Sequence, residues 1–529
     1  MNTPLTPLRC LHRAIDLFSH KPGVVCGEKE FTYGEFAERC QRLATGLKAK
    51  GIQAGDRVAY LSLNSHMLLE GYYGVVQAGA IVMPMNVRLA AAELIGILND
   101  SGARMLLFEP MFAPLIDALK PNCPAIETYV VLGEEAPQAD IAYEEIIDAG
   151  HPGRADIYKV DENSIAELFY TSGSTGKPKG VMLSHRTLYL HGLTLYTVYQ
   201  NVETMVNLHT IPLFHANGWG HPQASTHFGV KQVMVHGFDP ANIFELIQKH
   251  SATDMYLVPV MANALLNSPA LAEASPFSLR RIMIGGASSA PALIERMEKA
   301  FGCDVYGGYG LSETCPILAA AIPKTGIEYT SEEERYRRQS MTGWPLIGNE
   351  VRVVDNDMND VPKDMTAIGE VVVRGDHVMD GYWNDAEATA AVMTDGWLHT
   401  GDMAVWDEES FIQIVDRTKE IIISGGENVS SVAIENAIFS HPSVLECAVV
   451  AIPDEKWGEA PAAIIVLKPD EKLTAEEVRE HLAGKLAKFK IPKQIEFREE
   501  ALPKTGTGKI RKLDLKEPFW KGKDKRVQG

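Results

Sequence analysis

The densest run of groups suited to phosphate chemistry is Tyr170-Thr-Ser-Gly-Ser-Thr-Gly-Lys-Pro-Lys-Gly180. It sets the hydroxyls of Thr171, Ser172, Ser174 and Thr175, glycines at 173, 176 and 180, and the amines of Lys177 and Lys179 directly after an apolar, strand-like segment. Glycine permits close backbone approach, so the amides and hydroxyls of such a loop can turn toward phosphate oxygens. The P-loop pattern, Gly-x-x-x-x-Gly-Lys-Ser/Thr, fails on spacing. Only two residues separate Gly173 from Gly176, and Pro178 stands where a magnesium-binding hydroxyl would be. Val181-Met-Leu beyond the loop reads as a second strand rather than the helix a P-loop opens. A flexible surface hairpin is the competing reading.

Six more segments follow in order: Pro212-Leu-Phe-His-Ala-Asn-Gly-Trp219, Tyr306-Gly-Gly-Tyr-Gly-Leu-Ser-Glu-Thr314, Gly396-Trp-Leu-His-Thr-Gly-Asp402, Asp416-Arg-Thr-Lys419, Ser424-Gly-Gly-Glu-Asn428 and Pro503-Lys-Thr-Gly-Thr-Gly-Lys509. Each alone is weak. With the loop, and in this order, they make a specific match extending over nearly the whole chain. The sequence resembles the adenylate-forming superfamily that contains acyl-CoA synthetases, firefly-type luciferases and nonribosomal adenylation domains.

That resemblance implies a large N-terminal domain, a small mobile C-terminal domain, and two half-reactions. ATP and a carboxylic acid would give an acyl adenylate and pyrophosphate. A thiol, here that of CoA, would then take the acyl group and release AMP. The resemblance gives the loop from Thr171 to Lys179 the phosphates, with Thr175 and Glu313 on Mg²⁺, the hard cation that makes an acidic side chain sensible near phosphates. Tyr309 would stack on adenine, between Gly308 on the acyl side and Gly310 and Thr314 on the nucleotide side. Gly286, Ala287 and Ser288 would line both pockets. Asp402 and Arg417 match the ribose-binding pair, an acceptor and a donor. Lys509 matches the catalytic lysine, whose charge lowers repulsion as a carboxylate meets the α-phosphate. Lys419 matches the hinge, and Gly425 and Gly426 the approach of the pantetheine arm. His215, also counted with Lys509, Thr175 and Glu313 among the catalytic residues, and Trp219 match the acyl-pocket wall, an indole there favouring a short or medium-length acid, although a core role is the plain alternative for Trp219. Two departures stand out: Val429-Ser-Ser-Val lacks the proline that many relatives carry there, and Thr507 replaces a commoner serine.

His209, His215, His221 and His227 recur every six residues. That spacing scatters the rings over different faces of a helix or far along a strand, with no Cys or carboxylate cluster beside them, so a zinc site is not expected.

The elements that must hold these residues alternate in the manner of an α/β protein: strands at Met105 to Glu109, Glu167 to Tyr170, Gln232 to His236 and Arg281 to Gly285, and helices ending near Gly102 and over Arg186 to Tyr199. Layered helices around largely parallel sheets are expected for residues 1–416. Residues 417–529 read as a separate α+β unit with a helix over Val432 to Ser440, strands over Glu446 to Pro453 and Ala462 to Leu467, and a helix over Glu476 to Ala487. Its last segment, from Pro503 to Glu517, is too basic and Gly-rich for a core element and reads as a solvated tail or a phosphate-binding loop.

Composition agrees with such a chain. At 529 residues, 46% hydrophobic and 22% charged, it is globular and too long for one core. The net charge of −19 disfavours general nucleic-acid binding. It divides into −21 for residues 1–416 and +2 for the remainder, so a polyanionic ligand needs local amides, lysines or a metal. Seven cysteines without a Cys-x-x-Cys pair read as buried thiols. The most apolar stretch, Gly71 to Met85, falls short of the roughly 20 residues that span a bilayer, and neither terminus carries a recognised targeting signal, so a cytoplasmic protein without membrane insertion is expected. Its partners would be the acid, ATP and CoA, with no nucleic acid; a homo-oligomer stays open. A carrier-loading enzyme, an adenylate-oxidising one and a phosphate-binding regulatory ATPase are the competing functions. The identity of the acid is not written in these motifs.

Overall fold

The apolar stretch at Gly71 to Met85 becomes a buried helix, His66–Ala78, followed by a strand, Ile81–Pro84, with all four strand residues buried. Ser65 caps that helix by accepting from the Leu68 amide, and Gly79 ends it. A helix apolar on every side packs inside a large protein. This one lies against the helix Tyr33–Ala49, within the largest apolar cluster of the molecule.

The computed structural model describes residues 2–171, 178–200, 202–274, 276–417, 420–424, 427–454, 457–483, 485–504 and 510–521. Among them the strands form four sheets. Two are large and mostly parallel. In one, Ile165–Thr171, Ile81–Pro84, Arg57–Leu61, Met105–Phe108, Thr128–Val131 and Ile141–Ala142 run parallel, and Lys179–Ser184 returns antiparallel beside Ile165–Thr171. In the other, Pro22–Cys26, Lys231–Met234, Val206–His209, Asp254–Leu257, Arg281–Ile284 and Asp304–Gly310 run parallel. Parallel strands bury both faces, which explains their continuous apolar runs. Ligands of such sheets sit beyond the carboxyl ends of the strands. Thr171, the Gly285-Gly286 turn and the Ser312–Thr314 turn all stand at such ends.

A third, antiparallel sheet carries Trp397–Trp406 and Ile412–Arg417, and a fourth begins with Ile422–Ser424. In the fourth, Val444–Asp454 and Gly458–Leu467 pair antiparallel over Ser431–Phe439. Two expectations change. The helix read to Ala487 ends at Leu482. The terminal segment is only partly loop: Lys512–Trp520 is a helix, with Leu515 and Trp520 buried and Leu515 packed among Val450, Ile464 and Leu502. A mean polarity close to neutral hid two apolar anchors that suffice to dock it.

Candidate active site

One ladder and one side-chain hydrogen bond bring the nucleotide-type residues together. Asp402 pairs directly with Arg417 across the strands Trp397–Trp406 and Ile412–Arg417. The Arg417 Nε lies 3.2 Å from Asp402 Oδ1, and the Tyr309 hydroxyl donates to Asp402 Oδ2 at 2.6 Å. Asp402 is buried while the Arg417 side chain stays exposed. Burial, then the Asp402 charge, holds the Tyr309 phenol well above its usual range, so it remains a donor. An acceptor, a donor and a ring therefore meet in one place.

Glu313 sits in the short turn after Asp304–Gly310. Its Oε1 accepts from the Tyr382 hydroxyl at 2.9 Å, and its carbonyl accepts from the Met379 amide. Tyr382 pairs with Val181 beyond the phosphate loop, and the Lys179 ammonium lies 4.7 Å from the Tyr382 ring centre. Tyr382 engages only one carboxylate oxygen, which leaves Oε2 as a hard donor, chemistry that suits Mg²⁺. Thr314 is fully buried, its hydroxyl spent on the carbonyls of Leu311 and Pro316. It fixes the turn rather than facing a ligand. A Cβ at Gly310 would run into the Pro316 carbonyl, which accounts for glycine there.

Trp219 is 6% exposed. Its indole covers Gly285 and Gly286: a Cβ at Gly285 would lie 3.1 Å from the ring and 3.0 Å from the Gly308 carbonyl oxygen. The same ring belongs to an apolar cluster with Ile211, Tyr256, Met283 and Tyr306. His215 is half-buried at the start of the Ala216–Gly220 turn. Ala287 and Ser288 are exposed beyond Gly286. Thr171 pairs with Lys179 at the mouth of the loop. Of the expected site residues, Ser172, Gly173, Ser174, Thr175, Gly176, Lys177, Lys419, Gly425, Gly426 and Lys509 lie outside the described residues.

Of the histidines at regular spacing, His209 bonds Gln232 and His221 stacks on Tyr256. Six of the seven cysteines are buried and all are free thiols. Sequence reasoning missed Tyr382 and a buried Glu167, which binds Asn217 and Gln223. An acidic residue inside the apolar run Ile165-Ala-Glu-Leu-Phe was the available signal for the second.

The family model described as AMP-binding enzyme matches residues 11–383, and that of the AMP-binding enzyme C-terminal domain matches 433–509. The chain belongs to the AMP-binding enzymes. Within that family it is 41% identical over 519 residues to a long-chain-fatty-acid–CoA ligase of Thermus thermophilus, covering 96% of this chain and 94% of the relative. It is 35% identical to a 2-methylpropanoate–CoA ligase, CCL4, of Humulus lupulus, covering 98% and 95%. Its fold is similar to that of the anthranilate CoA ligase AuaEII in complex with anthranoyl-AMP, with a TM-score of 0.87 at 26% identity and 98% of each chain covered. ATP-bound MatB from Rhodopseudomonas palustris gives 0.86 at 27%, covering 98% and 99%.

Proposed function

We propose that this AMP-binding enzyme is a carboxylate–CoA ligase that activates a short or medium-length monocarboxylic acid. An oxygen of the acid attacks the α-phosphorus of ATP and pyrophosphate leaves. The CoA sulfur then attacks the acyl carbonyl and AMP leaves. The observation that carries the reading is the meeting of Tyr309, Asp402 and Arg417 in one cluster, with Glu313 in the turn that follows Tyr309. Asp402 accepts the ribose hydroxyls, Arg417 donates to ribose or phosphate, and Tyr309 offers its ring to adenine. The loop of Thr171, Ser172, Gly173, Ser174, Gly176, Lys177 and Lys179 cradles the phosphates, and Gly310 and Thr314 hold the turn beside them. Glu313 and Thr175 are the residues that would hold Mg²⁺, which when bound supplies charge neutralisation on the phosphates.

On this reading Lys509 bridges the attacking carboxylate and the α-phosphate, and residues 417–529 turn about Lys419 so that Gly425 and Gly426 meet the CoA arm. Gly286, Ala287 and Ser288 pass between nucleotide and acyl sites, where Gly308, His215 and Trp219 border the acid. The indole over Gly285 and Gly286 fills space that a long chain would need, which supports a short acid. A cytoplasmic location is consistent with seven free thiols. No helix among the described residues is long and apolar enough to cross a membrane.

Mass spectrometry of products formed from ATP, CoA and a panel of acids tests the function. Acyl-CoA with AMP is expected; ADP, or no thioester with any acid, refutes it.

A further inference from the structure

Glu167 is a buried carboxyl that no step above uses. It lies on the strand Ile165–Thr171, four residues before the phosphate loop opens, and is fully buried. Its Oε1 accepts from Gln223 Nε2 at 2.7 Å and its Oε2 from Asn217 Nδ2 at 3.1 Å. Asn217 lies within a strained junction and Gln223 just beyond it. Five successive residues have positive φ: Ala216 at 43°, Asn217 at 43°, Gly218 at 58°, Trp219 at 63° and Gly220 at 77°. Three of the five are not glycine, and left-handed residues with a Cβ persist only where the surroundings hold them. Gln223 lies in the helix His221–Phe228 that follows directly. Glu167 therefore braces the turn and the helix against the strand that delivers the phosphate loop.

We infer that Glu167 is a positioning residue for the acyl end of the site: through Asn217 it holds the left-handed turn and so seats Trp219 against Gly285 and Gly286, which limits the length of acid accepted. The inference rests on the ligase reading and adds the residue that sets its substrate range from outside the pocket.

The chemistry of the contact supports a brace rather than an ion pair. Burial is the main influence on Glu167, only partly opposed by its two amide donors, and pushes its pKa up to about 8. A neutral acid needs an acceptor for its proton. Asn217 Oδ1 and Gln223 Oε1 are both buried without a partner, and turning either amide over supplies one. A glutamine in place of Glu167 can make the same two contacts.

The test measures kcat/KM for acyl-CoA formation over straight-chain acids from acetate to dodecanoate, together with KM for ATP. Glu167→Ala and Asn217→Ala should each raise the ratio for longer acids over the preferred acid by roughly tenfold, a methylene's worth of discrimination, and leave KM for ATP unchanged. Glu167→Gln should keep the profile of the unaltered protein. A soluble Glu167→Ala with the original profile overturns the inference, as does a Glu167→Gln that shifts as far as the alanine. If Glu167→Ala does not fold, Asn217→Ala decides alone. Failure of the unaltered protein to make any thioester takes down the ligase reading, and this inference with it, before any variant is compared.

Discussion

Tyr382 and Glu313 stand 69 residues apart in the chain, yet the phenol hydroxyl donates to one oxygen of the carboxylate and leaves the other for a cation. Burial and the Glu313 charge hold that phenol well above its usual pKa, so it acts only as a donor. A hydrogen bond to a charged group contributes about 1.5–3 kcal/mol. Tyr382→Phe should therefore lower kcat/KM for adenylation by roughly tenfold to a hundredfold, with the deficit shrinking as Mg²⁺ is raised if orientation for the cation is what is lost. Pyrophosphate release measured against Mg²⁺ concentration checks this, and an unchanged rate would remove Tyr382 from the site. Lys509 bears on one half-reaction only. Lys509→Ala should nearly abolish acyl-adenylate formation, because the bridging cation is needed as two anions approach, while CoA transfer from supplied acyl adenylate proceeds at a near-normal rate. Equal loss of both halves in a folded variant refutes that division of labour.

At the scale of elements, what was legible in the sequence follows locality. The strand at Met105–Phe108, the helix stopped by Gly102 and the return strand Lys179–Ser184 were readable because period, cap and breaker lie within a few residues of each other. Asp402 and Arg417 were readable as motif residues, but not as register partners, since pairing is decided between strands. Glu167 was invisible as a brace because its partners lie 50 and 56 residues away. The helix Lys512–Trp520 was missed for the same reason. Only two of its residues are buried, and the Trp520 Nε1 donates to the carbonyl of Ala451, far back in the chain. That helix also ties the fourth sheet to the third: the Lys512 ammonium lies 2.9 Å from Glu435 and donates to the Ser431 hydroxyl, while the Ser431 amide donates to Asp416 at the end of the strand Ile412–Arg417. One orientation of the small unit is thereby braced directly beside the proposed hinge. Lys419→Pro, which fixes φ near roughly −65°, should spare the orientation that tolerates it and hinder passage to the other. We expect pyrophosphate exchange to survive and CoA transfer to fall. Lost exchange with transfer intact would reverse the assignment of orientations, and no effect on either would remove the hinge.

Over the whole molecule, folding hides many imidazoles. Burial lowers the pKa of His12, His185, His209, His227 and His377 to about 4, and that of His66 to about 3. An unfolded histidine titrates near 6.5. Below that pH the unfolded chain binds protons that the folded chain refuses, so stability present above pH 6.5 is lost as pH falls toward 4, by up to about 1.4 kcal/mol per pH unit for each ring. Two effects oppose the loss. Glu167 has a raised folded pKa, so it costs stability as pH rises from 4.5 toward 8 and returns it on acidification. Protonation also relieves the self-repulsion of a net charge of −19, but those charges are mostly exposed and are screened beyond about 8 Å at physiological salt. The depressed rings, which include the fully buried His191 and His221, outweigh the screened field and the raised groups, Glu167 together with Glu70, Asp254, Asp380, Glu435 and His236. The apparent Tm should therefore fall steeply between pH 6.5 and 5. His209→Gln, which removes one titrating ring without adding charge beside Gln232, should flatten that slope. Thermal scans of both proteins from pH 7.5 to 4.5 decide the matter: a Tm that holds steady or rises on acidification would mean that the buried rings find their protons inside the folded protein.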